Sequence, residues 1–299
     1  MLKKSLIFIG SSFCLLCLVI VSLGYVITRD IDKDEVVLAE GEDWFDDWYT
    51  VTRIDELTFA IGEPRYWQRN YNYLLLGDER AILFDTGPGV QNIKPIVETL
   101  TQLPVTVISS HPHYDHIGNN NLFKQVAWLN VEPITREVEK GFFQPSFIRG
   151  FTTRIIPAFA ITEWWQPNQQ IDIGNRVLNV YSIPGHEAAS VAIHEPERKL
   201  LFTGDFIYPG WLVAFAPTSN ISDYLASARL LKEKINGDET LYGAHSVPEH
   251  PSPSLPTTAL YDLEKTLVSI NNGAITPEQR FPIKIYRVND YMNLYLPPF

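Results

Sequence analysis

The chain has 299 residues, of which 45% are hydrophobic and 20% charged, a globular composition that excludes a disordered or fibrous protein. Against 24 Lys and Arg stand 35 Asp and Glu, a formal net charge of -11 that argues against a polyanionic nucleic acid as partner. The two cysteines, Cys14 and Cys17, lie in an apolar N-terminal stretch, so the rest of the chain has no thiol for a disulfide or a metal.

Lys3 and Lys4 precede residues 5–28, which carry no charge and are long enough at ~1.5 Å per residue to span a bilayer as a helix. The lysines before this run, and Asp30, Asp32, Asp34 and Glu35 after it, place the N-terminus in the cytoplasm and the bulk of the chain outside. The run exceeds the ~7 to 15 residue apolar core of a cleaved signal peptide. The expectation is therefore one N-terminal transmembrane helix over residues 1–28, a signal-anchor, with a secreted product as the alternative if the segment is cleaved. Without that segment the chain has 22 basic and 35 acidic residues, a net charge of -13, so the acidity belongs to the exported part. Residues 29–48 read as an acidic, aromatic linker, and residues 49–299 as one domain, within the size a single core supports.

Apolar runs rich in β-branched residues, each stopped by Gly or Pro signals, predict buried strands at 73–76, 81–84, 105–108, 178–183, 199–202 and 240–242. Helical spacing predicts helices over 90–103, 221–235 and 255–272, the last closed by Gly273, and 283–296 reads as strand. Alternating strands and helices predict an α/β layered fold, in which sites are built at strand ends. The last five of the six buried strands lead, in order, to Asp85, His111, His186, Asp205 and His245.

The densest cluster is His111-Pro112-His113-Tyr114-Asp115-His116, directly after a strand. Imidazoles and a carboxylate are the donors that suit zinc or a similar transition metal. Pro184-Gly185-His186, Thr203-Gly204-Asp205 and Gly243-Ala244-His245 add one donor each, so five of the 7 histidines fall at strand ends. If those ends converge, the five histidines with Asp115 and Asp205 form one constellation able to hold two metal ions. His194 and His250 lie outside it and read as packing or surface residues.

The H-x-H-x-D-H run of His111, His113, Asp115 and His116, with His186, Asp205 and His245 after it in that order, resembles the metallo-β-lactamase superfamily. Asp85-Thr86-Gly87 resembles that family's early Asp-Thr-Gly turn, so the likeness covers roughly residues 50 to 250. It implies a four-layer αββα sandwich with metals at one edge. It also implies that His111, His113 and His186 hold one ion, that Asp115, His116 and His245 hold the other, and that Asp205 bridges them. Asp85 is implied as a support for the metal-bearing loop, and reads equally well as a turn residue. The cofactors implied are two divalent metal ions, zinc first, with iron or manganese as alternatives.

Two dications about 3.5 to 4 Å apart can share a water, lower its pKa toward neutrality and polarise a carbonyl, and Asp115 is the candidate proton carrier. The expected enzyme is a hydrolase that cleaves an ester, lactone, thioester or amide outside the cytoplasm. Gly204-Asp205 makes the chain look more like the glyoxalase II and lactonase branches than the best-known β-lactamases, which lack the bridging aspartate. Tyr208 matches a tyrosine that in lactonases points at the substrate carbonyl, and reads equally as a packing residue. The tail departs from glyoxalase II, which weakens a glutathione thioester as substrate.

Tyr66, Trp67, Phe142, Phe143, Phe147, Phe151, Trp164, Trp165, Tyr208 and Trp211 read either as a pocket for an apolar or ring-bearing small molecule, or as packing of a long insertion at 130–167. Arg65, Arg69, Arg149 and Arg154 are candidate anion contacts in the same loops. The partners expected are that small molecule and, through residues 1–28, a membrane, with no nucleic acid and no oligomeric state assigned. Two alternatives stand beside the hydrolase: a phosphodiesterase of the same superfamily, and a non-catalytic metal-binding scaffold. Against the scaffold, all seven ligand positions are filled.

Overall fold

The computed structural model describes residues 30–145 and 156–298. The expected N-terminal helix, Cys14, Cys17, Phe147, Arg149, Phe151 and Arg154 lie outside the described residues. Among the described residues no helix is long and apolar enough to cross a membrane.

Strands Ala81–Phe84 and Val105–Ile108 form where the sequence predicts them, because their apolar runs are buried on both faces and sit side by side in parallel. They are central strands of an eight-stranded sheet. Antiparallel neighbours Asn70–Leu76, Thr58–Glu63, Thr50–Asp55 and Glu42–Trp44 extend it on one side. Parallel neighbours Gln125–Leu129 and Glu163–Trp165 extend it on the other. A second, six-stranded sheet runs Gln170–Asp172, Val177–Ser182, Val191–Glu195, Leu200–Gly204, Thr240–Gly243 and Ser254–Pro256, with a parallel pairing between Leu200–Gly204 and Thr240–Gly243.

Successive side chains of a strand point to opposite faces, and Leu200–Gly204 shows what that does here. Phe202 joins the core between the sheets, packing near Tyr73 and Phe84, while Leu201 joins a second core. That second core is completed by Tyr224 and Leu231 of helix Ile221–Lys234 and by Leu260 and Leu263 of helix Thr258–Asn271. Ile96 and Val97 of helix Lys94–Leu100 enter the first core. The result is the layered α/β sandwich expected from the strand and helix pattern.

Arg176 ties the sheets together from within. Its guanidinium is 2.9 and 2.5 Å from the two oxygens of Glu195 in the second sheet. It also donates to the carbonyls of Leu57 and Leu76 and to Thr58 Oγ1 at the edge of the first. Glu195 and Thr58 are buried, so these bonds offset part of the cost of placing their polar groups inside.

Four boundaries differ from the sequence expectation. Residues 42–44, assigned to the linker, are the edge strand of the first sheet, because Glu42 is buried and accepts hydrogen bonds from Thr50 and Tyr71. Helix 90–103 shortens to Lys94–Leu100, since the Gln91 carbonyl is taken by Tyr49 and Asn119 side chains. Leu255 pairs with Leu241 in a strand, so the last helix starts at Thr258. The strand-like tail is a hairpin, Ile283–Arg287 with Met292–Leu296, whose second strand pairs in parallel with Gly210–Val213.

Candidate metal centre

All seven expected ligands reach one place, because the strands that precede them end at one edge of the sandwich. Val105–Ile108 leads to His111, and the single helical turn Tyr114–Ile117 carries Asp115 and His116. Leu200–Gly204 and Thr240–Gly243, side by side in the facing sheet, deliver Asp205 and His245. Val191 N–H donates to the Ser110 carbonyl, and Tyr71 N–H to the Ala244 carbonyl, which joins the sheets beside the site.

Two glycines make the approach possible. Gly118, at the end of the helical turn, has no room for a Cβ, which would lie 2.2 Å from the backbone of Pro88. Gly204, at φ +55, lies against Ser110, where an added Cβ would be 2.4 Å from the serine Cβ. The positive φ is the conformation glycine adopts without steric cost, and it turns the chain into Asp205.

The seven donors fall into two groups. His111, His113, His186 and Asp205 form one, and Asp115, His116 and His245 the other, with the ligand atoms of each within 4.8 Å of one another. In the first, His113 Nδ1 lies 2.8 Å from His111 Nε2 and 3.1 Å from His186 Nε2. Asp205 faces both groups with different oxygens. Its Oδ2 is 3.9 Å from His111 Nε2 and 3.5 Å from His186 Nε2, and its Oδ1 is 3.4 Å from His116 Nε2 and 3.0 Å from His245 Nε2. Asp115 Oδ2 lies 3.5 and 3.6 Å from the Nε2 atoms of His116 and His245.

The outer ring nitrogens are committed to acceptors, which fixes the tautomers. His186 Nδ1–H donates to the Val213 carbonyl, His245 Nδ1–H to the Gln68 carbonyl and His116 Nδ1–H to Asp85 Oδ2. Ser110 donates through N–H and Oγ–H to the two oxygens of Asp85, so its Oγ accepts from His111 Nδ1–H at 3.0 Å. Asp85 therefore supports the loop that bears His111 and His116, directly at His116 and through Ser110 at His111. His113 is the exception, with Nδ1 inward and Nε2 3.6 Å from Glu187.

The donor set fits divalent cations. Nε2 of His116, Nε2 of His245 and Oδ1 of Asp205 are buried without a hydrogen-bond partner, and both nitrogens face that oxygen, at 3.4 and 3.0 Å. Buried polar atoms left in this way are costly unless something positive sits among them.

Burial, with the charges of His116 and His113, pushes His111 well below the usual imidazole range. Burial likewise lowers His186 to about 4. Burial opposes charge on His116 and His245 as well, but the carboxylates around them outweigh it and raise both. Burial would raise Asp115, yet His116 and His245 hold it at about 2.

The other expected site residues divide. Tyr208 packs its ring 5.1 Å from that of His245, and its hydroxyl donates to the Trp211 carbonyl. Phe143 and Phe159 stack on Trp128, and Trp165 is buried, so this part of the insertion packs onto the first sheet. Trp164 and Trp165 lie in a paired strand rather than a loop. Trp67 and Trp211 remain exposed, and Trp211 stacks on Tyr295. Of the candidate anion contacts, Arg65 donates to the carbonyls of Ile31 and Asp47, and Arg69 to Ser246 and the Val37 carbonyl. Of the two remaining histidines, His194 is buried and His250 is exposed beside Tyr291. Sequence reasoning passed over Ser110 and Gln68. Adjacency to His111 marks the first, whereas nothing local marks the second.

Two facing sheets with histidine and aspartate donors gathered at their strand ends define a metallohydrolase of the layered α/β type. The family profile described as "Metallo-beta-lactamase superfamily" matches residues 66–245, and the chain belongs to that superfamily. It is 26% identical over 220 residues to "Acyl-coenzyme A thioesterase MBLAC2" of Gallus gallus, covering 64% of this chain and 77% of the relative. It is 22% identical over 183 residues to "Hydroxyacylglutathione hydrolase GloC" of Haemophilus influenzae, covering 60% and 86%. Among solved structures, a metallo-beta-lactamase from Pontibacter korlensis superposes with a TM-score of 0.57 at 16% identity, covering 74% of this chain and 99% of that one, a likeness of fold.

Proposed function

We propose that the protein is a dinuclear metal-dependent thioester hydrolase. The observation that carries this is Asp205, which presents one carboxylate oxygen to each of two ligand groups. In this reading His111, His113 and His186 would hold one ion and Asp115, His116 and His245 the other, with Asp205 presenting an oxygen to each group. When bound, two divalent ions, zinc by preference and iron or manganese as alternatives, supply a hydroxide nucleophile at neutral pH and Lewis-acid stabilisation of a developing oxyanion.

The chain's own residues do the rest. Asp115, held ionised at neutral pH, takes up the proton released on attack and returns it to the departing thiolate sulfur. Tyr208 walls the site beside His245 and fixes the segment that bears Trp211. The exposed rings of Trp67 and Trp211 supply apolar contact for an acyl chain or ring. Support for a thioester over a lactone or amide comes from the relatives, an acyl-coenzyme A thioesterase and a hydroxyacylglutathione hydrolase.

Membrane anchoring with the catalytic domain on the extracytoplasmic side belongs to the same proposal, supported by Lys3, Lys4 and the uncharged residues 5–28. The test is metal analysis of the purified full chain, then a panel of acyl-coenzyme A esters, glutathione thioesters, lactones, β-lactams and phosphodiesters. About two ions per chain and preferential thioester turnover are expected. Metal-free protein, or preference for another bond, would overturn the reading at the corresponding step.

A further inference from the structure

The turn before strand Asn70–Leu76 belongs to no ligand motif, yet it grips two of the seven candidate ligands. Gln68 Nε2 donates at 2.8 Å to Asp115 Oδ2, the oxygen that faces His116 and His245. Gln68 Oε1 accepts from Tyr114 Oη at 2.7 Å, which fixes the amide with its NH2 toward the carboxylate. The Gln68 carbonyl accepts from His245 Nδ1 at 3.0 Å. Asn70 Nδ2 donates to the Asp115 carbonyl at 2.8 Å, and the two residues straddle Arg69.

Arg69 has φ 51, in the left-handed region that side chains other than glycine adopt at a cost. Such strain persists only where its surroundings over-determine it, and here they do. The Arg69 guanidinium donates to Ser246 Oγ, next to His245, and to the Val37 carbonyl, while Tyr71 N–H donates to the Ala244 carbonyl on the other side of His245. The first group is supported by other elements: His111 by Ser110 and His186 by Val213.

We propose that Gln68 is a positioning residue for the second ion, aiming Asp115 through its amide and His245 through its carbonyl, so that occupancy of the second position depends on this turn. The proposal rests on the two-ion reading above. Its effect is on metal affinity at one position, since a partner behind a ligand typically contributes ~10- to 100-fold.

The test uses full-length wild type, Gln68→Leu and Tyr114→Phe, each titrated with Zn2+ against a chromophoric chelator and with Co2+ while the visible spectrum is monitored. The wild type should bind about two ions. Gln68→Leu should keep the first ion and bind the second ~10- to 100-fold more weakly, with a changed spectrum for the second Co2+ equivalent only. Tyr114→Phe, which frees the Gln68 amide to turn, should shift the second ion in the same direction by less. Both ions held at wild-type affinity, or both lost together, would overturn the positioning role. If Gln68→Leu does not fold, Tyr114→Phe decides alone, and an unchanged second affinity overturns the proposal. A wild type that binds fewer than two ions removes the two-ion reading and this role with it; two ions in the wild type and undiminished in the variants remove only this role.

Discussion

Asp205 and His194 are both buried titratable side chains, and their surroundings give them opposite tasks. Asp205 has histidines on every side that hold its carboxyl far below the ordinary range despite burial, so it is an anion placed between two donor groups. Asp205→Ala should lower metal content below two ions per chain and abolish turnover, read by metal analysis and a thioester assay on the same preparation. His194 lies in strand Val191–Glu195, where burial lowers its pKa and Glu239 at 3.4 Å opposes the shift. The unfolded chain takes up a proton there near pH ~6.5, whereas the folded chain resists until lower pH. Stability from this group is therefore intact above pH ~6.5 and is lost as pH falls through the folded value. His194→Gln should flatten the acid-side decline of unfolding free energy between pH ~7 and ~5, measured by denaturant titration at several pH values. An unaltered slope would count against it.

At the scale of elements, the site depends on how closely backbone segments meet. The turn at 85–89 and the helical turn Tyr114–Ile117 touch through Gly118 and through hydrogen bonds from Thr86 N–H to the His116 carbonyl and from Gly118 N–H to the Gly87 carbonyl. A methyl group at 118 would lie 2.2–2.6 Å from backbone atoms of Gly87, Pro88 and Gly89, so Gly118→Ala should cost about 1–3 kcal/mol and weaken metal binding together, because Asp115 and His116 ride on that turn. Thermal melts with and without added Zn2+ separate the two effects. Arg176→Met should cost about 3–5 kcal/mol in a urea titration, since it takes the two-pronged guanidinium from buried Glu195, leaving Arg198 at 3.3 Å, and removes one donor from each of the carbonyls of Leu57 and Leu76. The aromatic insertion was legible as rings and not as a role. Phe143 and Phe159 both stack on Trp128, a packing that only the pairing of 142–143 with 159–160 reveals.

For the whole molecule, the two donor groups lie at the junction of the sheets, so metal binding there should be felt by the fold as a whole. Chelation should lower the melting temperature and readdition of Zn2+ restore it, because a ligand that binds only the folded state stabilises it by mass action. A melting temperature indifferent to chelator would mean that the donors hold nothing.

The donor types, their order and their place after strands were determined by the sequence alone, because a strand-ending His or Asp is a local pattern. Ala81–Phe84 and Val105–Ile108 were legible for the same reason, being apolar runs bounded by turns. Tertiary structure alone decided which donors share a centre. It brought His186 beside His113, 73 residues away in sequence, and put Gln68 against Asp115 and His245 across separations of 47 and 177. It also turned Arg65 and Arg69, plausible anion contacts in sequence, toward backbone carbonyls of residues 31, 37 and 47. The division is physical: periodicity and turn chemistry act between neighbours in the chain, whereas hydrogen-bond partners are assigned only when sheet pairing and packing bring distant segments within about 3 Å.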